Sequence, residues 1–224
     1  GTYTGSKQKE NIPSEKLHYF LFISYITKNR LLLYKYSRFL KIDTQMATQE
    51  TENNGIRQLQ ITADGSHTLF IPEIEEHYHS INGAIQESRH VFINAGWKQI
   101  LKEEIRILEI GFGTGLNAFL TLLETLGTTK KVIYYSVELY PLERNLIEAL
   151  NYPEIICPDK QALFYALHHA PWNCLTPITS TFAIDKIKGD SNTCELPKAI
   201  DLVYFDAFAP DKQPEMWNQE IFDK

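Results

Sequence analysis

Residues 105–117, reading I-R-I-L-E-I-G-F-G-T-G-L-N, constrain the fold more than any other stretch of this chain. An apolar run leads into glycines at 111, 113 and 115, and the apolar pattern resumes as Leu116, Phe119, Leu120, Leu122 and Leu123. The first part has the composition of a buried strand and the last the spacing of a helix, so a strand, a tight turn and a helix start are expected. Glycine lets the backbone turn with positive φ and lets a ligand approach where a Cβ would stand. The helix start leaves N–H groups without intrahelical partners beside that ligand. A dinucleotide-binding turn would read G-x-G-x-x-G, and Leu116 occupies the place of its third glycine. A purely structural βα turn can use the same residues.

Acidic residues close the next three apolar runs. Residues 132–137 (V-I-Y-Y-S-V) end in Glu138, residues 182–187 are followed by Gly189-Asp190, and residues 200–205 (I-D-L-V-Y-F) end in Asp206. Ligands of open α/β sheets bind outside the carboxyl ends of the strands, and an acid after the second strand suits ribose hydroxyls. Any one of these acids alone could be a helix cap or a solvated turn. Three in order behind the glycine turn point to a nucleoside-type ligand.

The pattern E-x-G-x-G-x-G, with Glu109 two residues before Gly111, resembles motif I of the class I S-adenosylmethionine (SAM) methyltransferases. Three further segments narrow the resemblance. Asp206-Ala-Phe-Ala-Pro-Asp-Lys-Gln-Pro-Glu-Met-Trp217, continuing to Ile221-Phe222, is similar to F-x-D-G/A-F-A-P-x-K-x-P-x-M-W-x-x-x-x-F, a signature of the methyltransferase half of MnmC-type tRNA-modifying enzymes and their stand-alone counterparts. The run from Tyr78 through Asn82-Gly83-Ala84-Ile85-Gln86-Glu87-Ser88-Arg89 to Phe92 resembles that family's Y-F-S-x-x-x-G-x-x-E-[ST]-R-x-V-F element. Glu138-Leu-Tyr-Pro-Leu matches its E-K-F-P-L segment, with Leu139-Tyr140 in place of Lys-Phe. The likeness covers about residues 60–222.

The resemblance implies a Rossmann-like α/β fold with SAM as cofactor and tRNA as partner. It implies cofactor-binding roles for Glu87, Glu109, Gly111, Gly113, Gly115, Asn117, Glu138 and Asp190. Glu138 would hold the ribose, Asp190 the adenine amino group, and Glu87 would sit near the methionine amino group. Asp206 would be catalytic, beside the transferred methyl, with Phe208, Pro210, Lys212 and Trp217 on the substrate side. The reaction implied is methylation of the primary amine of 5-aminomethyl-(2-thio)uridine at wobble position 34, with no metal required. Bifunctional members add an FAD-dependent oxidoreductase domain, for which no second glycine fingerprint is found here. Two other readings stay open at this point. One is an aminopropyltransferase-like enzyme of the same fold acting on a small-molecule amine, and the other is a non-catalytic cofactor-binding protein.

At 224 residues the chain is long enough for one sizeable core. Cys157, Cys174 and Cys194 form no C-x-x-C pair, so neither a disulfide scaffold nor a zinc cluster is suggested, and a reducing, cytoplasmic compartment fits. His77, His79, His168 and His169 lack a completing set at zinc spacing and are expected at the surface or on the substrate side.

The two ends depart from the family. Residues 1–45 hold eight Lys or Arg against three Asp or Glu, a net of +5, leaving −11 for residues 46–224 out of the total of −6. This stretch is expected to be either a basic, aromatic-rich arm able to touch tRNA or sequence upstream of a start at Met46. No uninterrupted 18-residue apolar stretch suggests a membrane span. Residues 46–100 are expected to pack near the cofactor site, and residues 101–224 to form the SAM-binding core. Only four strands are legible before Lys224, so the fold is expected to lack its C-terminal strands, with the fourth strand left as an apolar edge.

Overall fold

The computed structural model describes the backbone of residues 20–27 and 30–37, and residues 57–223. Its strands are β1 (Phe20–Thr27), β2 (Arg30–Ser37), β3 (Gln58–Ile61), β4 (His67–Ile71), β5 (Glu76–His77), β6 (Glu104–Ile110), β7 (Lys131–Glu138), β8 (Thr176–Pro177), β9 (Phe182–Lys188) and β10 (Leu202–Phe205). Six helices accompany them: α1 (Ala84–Ser88), α2 (Leu116–Thr125), α3 (Arg144–Ala149), α4 (Tyr152–Ile156), α5 (Gln161–His169) and α6 (Gln219–Asp223). No helix among the described residues is long and apolar enough to cross a membrane.

The main sheet runs in the order β1-β2-β10-β6-β7-β9-β8. Its centre, from β2 through β9, is parallel, as expected where helices connect successive strands. The sheet carries a packed layer on each face, so its strands read as nearly continuous apolar runs with a hidden alternation. Ile105 and Ile107 of β6, Val132 and Tyr134 of β7, Phe182 and Ile184 of β9, and Leu202 and Tyr204 of β10 face one core with α2 and α5. Leu108, Ile110, Val137 and Phe205 face the other, closed by Met216 and Ile221. Strand parity then matters for the site. Glu109, Ser136, Glu138, Lys186 and Asp206 all continue the α2-facing rows. A three-stranded antiparallel sheet, β3-β4-β5, delivers Tyr78 and His79 to the ends of the parallel strands.

One expectation is corrected. The fourth legible strand, β10, is not an edge, because β2 runs parallel to it in the register Leu202↔Leu31 to Phe205↔Tyr34. A strand with an open ladder of N–H and C=O groups needs a partner, and the apolar run 31–34 provides one. β1 then pairs antiparallel with β2. The remainder of the expected basic arm and the expected start at Met46 lie outside the described residues.

Candidate functional site

The glycine turn is built by hydrogen bonds to the end of β7 and within itself. Gly111 N–H donates to the Val137 carbonyl (2.9 Å), and Gly115 N–H donates to the Phe112 carbonyl (2.8 Å). Gly113 N–H donates to Glu138 Oε2 (2.9 Å), and Tyr140 N–H donates to Glu138 Oε1 (2.7 Å). The Glu138 carboxylate thus pins the turn while standing at the cleft. Gly111 has φ +91°, and a Cβ there would meet the Asp206 carbonyl oxygen at 2.8 Å. At Gly113, φ +48°, a Cβ would reach the Tyr78 ring at 2.9 Å. Gly111 and Gly113 are therefore fixed by close approach as well as by conformation.

A cleft opens over this turn, lined by Gly111, Phe112, Gly113 and Thr114, by Val137, Glu138, Leu139 and Tyr140, by Gly189, Asp190 and Ser191, and by Asp206, Ala207 and Phe208. Arg57, Ile71, Tyr78, His79, Gln213 and Met216 complete it. Asp190 is held by Asn192, whose backbone N–H donates to Asp190 Oδ1 (2.8 Å). Asp206 accepts from Asn117 Nδ2 (2.8 Å), so α2 aims the carboxylate. Arg57 Nε donates to the Tyr78 hydroxyl (2.8 Å), and the Tyr78 ring meets Phe208 edge-on at 5.5 Å. A smaller pocket adjoins the first and shares Tyr78, His79, Asp206, Ala207 and Phe208 with it, adding Glu76 and His77. Asp206 therefore faces two connected spaces.

Of the residues singled out by sequence, Gly111, Gly113, Glu138, Asp190, Asp206 and Phe208 come together in the cleft. The others do not line it. Glu109 is fully buried beneath the turn, where Ser136 Oγ donates to its Oε2 (2.6 Å). Gly115, φ +73°, caps α2, and a Cβ there would meet the His168 ring at 2.7 Å. Asn117 is buried and acts on Asp206. Glu87 is buried at the second sheet and accepts from Ser80 N–H (3.0 Å). Lys212 pairs with Glu75 at 3.8 Å, and Trp217 Nε1 donates to the Phe208 carbonyl (2.8 Å), bracing the loop from behind. Pro210 starts the turn between them.

Arg57, Tyr78, Gln213 and Met216 were missed. Tyr78, Gln213 and Met216 lie inside quoted motifs, Gln213 at a variable position of its motif; Arg57 has no such signal. His168, expected at the surface or substrate side, instead packs between Phe112 (5.2 Å) and Phe164 (4.7 Å). Burial first, and then the neighbouring Lys186 ammonium, hold its imidazole down at about 3. Lys186 lies over the Trp172 ring at 4.6 Å, and burial lowers its ammonium to about 8.

Comparison with known proteins follows the same line. Residues 178–224 match the family model described as S-adenosyl-L-methionine-dependent methyltransferase. This chain is related to the SAM-dependent methyltransferases. The tRNA 5-methylaminomethyl-2-thiouridine biosynthesis bifunctional protein MnmC of Magnetococcus marinus is 29% identical over 191 residues, covering 79% of this chain and 28% of that protein. The MnmC of Leptospira borgpetersenii is 32% identical over 157 residues, covering 64% of this chain and 24% of that one. The chain thus spans about a quarter of the length of these curated relatives. The crystal structure of MNMC2 from Aquifex aeolicus superposes with a TM-score of 0.57 at 29% identity, covering 73% of this chain and 54% of that chain. The cleft fits SAM on its own geometry. Gly111 and Gly113 line it without a side chain, and Glu138, Asp190 and Asp206, at or just past the ends of parallel strands, line it as well.

Proposed function

We propose that this chain transfers a methyl group from SAM to the primary amine of 5-aminomethyl-(2-thio)uridine at position 34 of tRNA, in the cytoplasm. The observation that carries this reading is Asp206, aimed by Asn117 and facing both the glycine-turn cleft and the adjoining pocket. The names of the MnmC relatives supply the substrate class. Residues 101–224 form the cofactor-binding core in this reading, and residues 46–100 contribute Tyr78 and His79 to its mouth.

The cofactor, when bound, supplies a sulfonium methyl as the electrophile. Glu138 and Asp190 hold the nucleoside end, and the glycine turn leaves room for the chain that joins it to the sulfur. The acceptor amine enters from the side of the smaller pocket, against the Tyr78–Phe208 edge contact. An alkylamine with a pKa near 10 lies about 3 units uphill at pH 7, roughly 4 kcal/mol. Asp206 orients that amine and receives its proton, while fixed geometry removes much of the remaining entropic barrier.

The test is to incubate the protein with SAM and tRNA carrying 5-aminomethyl-2-thiouridine, then digest the tRNA and analyse its nucleosides by mass spectrometry. Gain of one methyl on the C5 aminomethyl group is the expected result. Cofactor binding without methylation of that tRNA, or methylation of a free polyamine in its place, would overturn the proposal.

A further inference from the structure

Glu109 sits in the α2-facing row of β6, with 0% exposure, among groups that include no cation. Ser136 Oγ donates to its Oε2 (2.6 Å). Asn117 and Tyr134 flank the carboxyl, and the Asp206 carboxylate is near enough to act on it. Tyr204 on β10 completes the titratable neighbours. Among the described residues, Glu109 Oε1, Asn117 Oδ1 and the Tyr134 hydroxyl are all buried without a hydrogen-bond partner. Three orphaned polar atoms in one spot call for an explanation.

Counting donors gives one. With Glu109 ionised, its Oε1 and Asn117 Oδ1 are both acceptors, and the Tyr134 hydroxyl can supply only one of them. An added proton on Glu109 changes the balance. Its O–H donates to Asn117 Oδ1, and the Tyr134 hydroxyl donates to the Glu109 oxygen, so all three atoms are satisfied. The same proton would fix which way the Asn117 amide lies. With its oxygen accepting from Glu109, its NH2 is left to Asp206, and the Asn117 Nδ2 to Asp206 Oδ2 bond is present at 2.8 Å.

We infer that Glu109 is a positioning residue held as the neutral acid, which orients Asn117 so that the Asn117 amide presents its N–H to Asp206. Its role is then to aim the acceptor-side carboxylate, and it does not touch the cofactor. The purpose of that aim rests on the methyl-transfer reading above. Burial pushes the Glu109 carboxyl well above the usual carboxylate range, and the nearby Asp206 charge pushes it the same way. The single negative charge of the pair belongs on Asp206, which faces the cleft.

Infrared spectroscopy of the whole chain labelled with 13C-carboxyl glutamate tests this without any turnover measurement. At neutral pH a carboxylic-acid C=O stretch is expected, shifted by the label, lost in Glu109→Gln and retained in Glu87→Gln, the other buried glutamate. Absence of the band in the wild-type chain, or its survival in Glu109→Gln, would overturn the inference. Turnover then tests the positioning role. Glu109→Gln restores a donor to Asn117 Oδ1 and should keep activity within about threefold, whereas Glu109→Leu should lose at least about tenfold at unchanged SAM affinity. Equal loss in both variants would refute positioning through a donated hydrogen bond. If the wild-type chain fails to methylate the tRNA while the band behaves as expected, the functional reading fails and the neutral acid stands.

Discussion

Replacing Gly111 by alanine separates backbone strain from steric collision, because the fold supplies its own control. Gly111 and Gly127 both have positive φ, +91° and +74°. A non-glycine residue in such a region costs about 1–3 kcal/mol. At Gly127 a Cβ would meet nothing within 4 Å, so Gly127→Ala should show the strain alone. At Gly111 the Cβ would stand 2.8 Å from the Asp206 carbonyl oxygen. That oxygen belongs to backbone and cannot rotate away. The Asp206 N–H also donates to the Ile110 carbonyl (3.0 Å), so relief must separate the ends of β6 and β10. Overpacking of this kind adds about 1–3 kcal/mol. At roughly 2–4 °C per kcal/mol for a chain of this size, Gly111→Ala should melt about 4–24 °C below the wild type, and Gly127→Ala about half as far. The site should also suffer, because the displaced turn itself, Gly111 to Thr114, lines the cleft, so calorimetry is expected to show SAM affinity reduced at least tenfold in Gly111→Ala alone. Equal melting temperatures for the two variants, with unchanged affinity in both, would refute the assignment of Gly111 to the cleft floor.

Three further outcomes are expected. The folded-state pKa of His168, about 3, lies below its unfolded value near 6.5, so the unfolded chain binds the extra proton between those limits; stability from this group is complete above about pH 6.5 and falls by up to roughly 5 kcal/mol as pH drops toward 3, and denaturant titrations should show that slope flattened in His168→Gln. Asp206→Asn should leave SAM binding nearly intact while methylation falls by about 10²–10⁴ at pH 7, partly rescued near pH 9, since the carboxylate's contribution is to receive the amine proton; near-normal single-turnover rates would reduce Asp206 to a turn-former. Glu138→Ala should weaken SAM binding at least tenfold in calorimetry, because it removes the charge-assisted bonds to the ligand that the proposed function gives this residue and also frees the Gly113 and Tyr140 N–H groups.

The parts of this fold that were legible in sequence are those governed by short-range physics. Apolar runs gave β6, β7, β9 and β10, the glycines gave the turn, and the resumed 3.6-residue spacing gave α2 at Leu116. The acids at 138, 190 and 206 were found because each follows a strand directly, and parallel strands put their carboxyl ends together. Arg57 was not legible, since it reaches the cleft only through tertiary packing, and Gln213 sits at a variable position of the 206–217 motif, where the pattern does not single it out. The β2–β10 pairing was hidden for a different reason. Residues 1–45 stand out by charge, whereas the pairing comes from two eight-residue strands, rich in Leu, Ile, Phe and Tyr, on either side of Lys28-Asn29, a hairpin spacing. With β2 in place, β10 lies inside the sheet, and the strand that ends in Asp206 is supported from both sides.

Glu109 shows how a motif can be read correctly and its residue misassigned. The acid two residues before the first glycine suggests a ligand contact when the motif is viewed as a string. Strand parity says otherwise: Ile105, Ile107 and Glu109 share one face, and the first two are buried under α2. A carboxyl continuing that row must be buried too, where an uncompensated charge is far costlier than a bound proton. Glu138 and Asp206 continue equivalent rows on β7 and β10, but Glu138 is the last residue of its strand and Asp206 stands one step past the end of β10, where both reach the cleft. Three acids on one face of one sheet therefore divide by depth. Glu138 and Asp206 line the cleft at the rim, while burial holds the Glu109 carboxyl beneath it well above the usual carboxylate range.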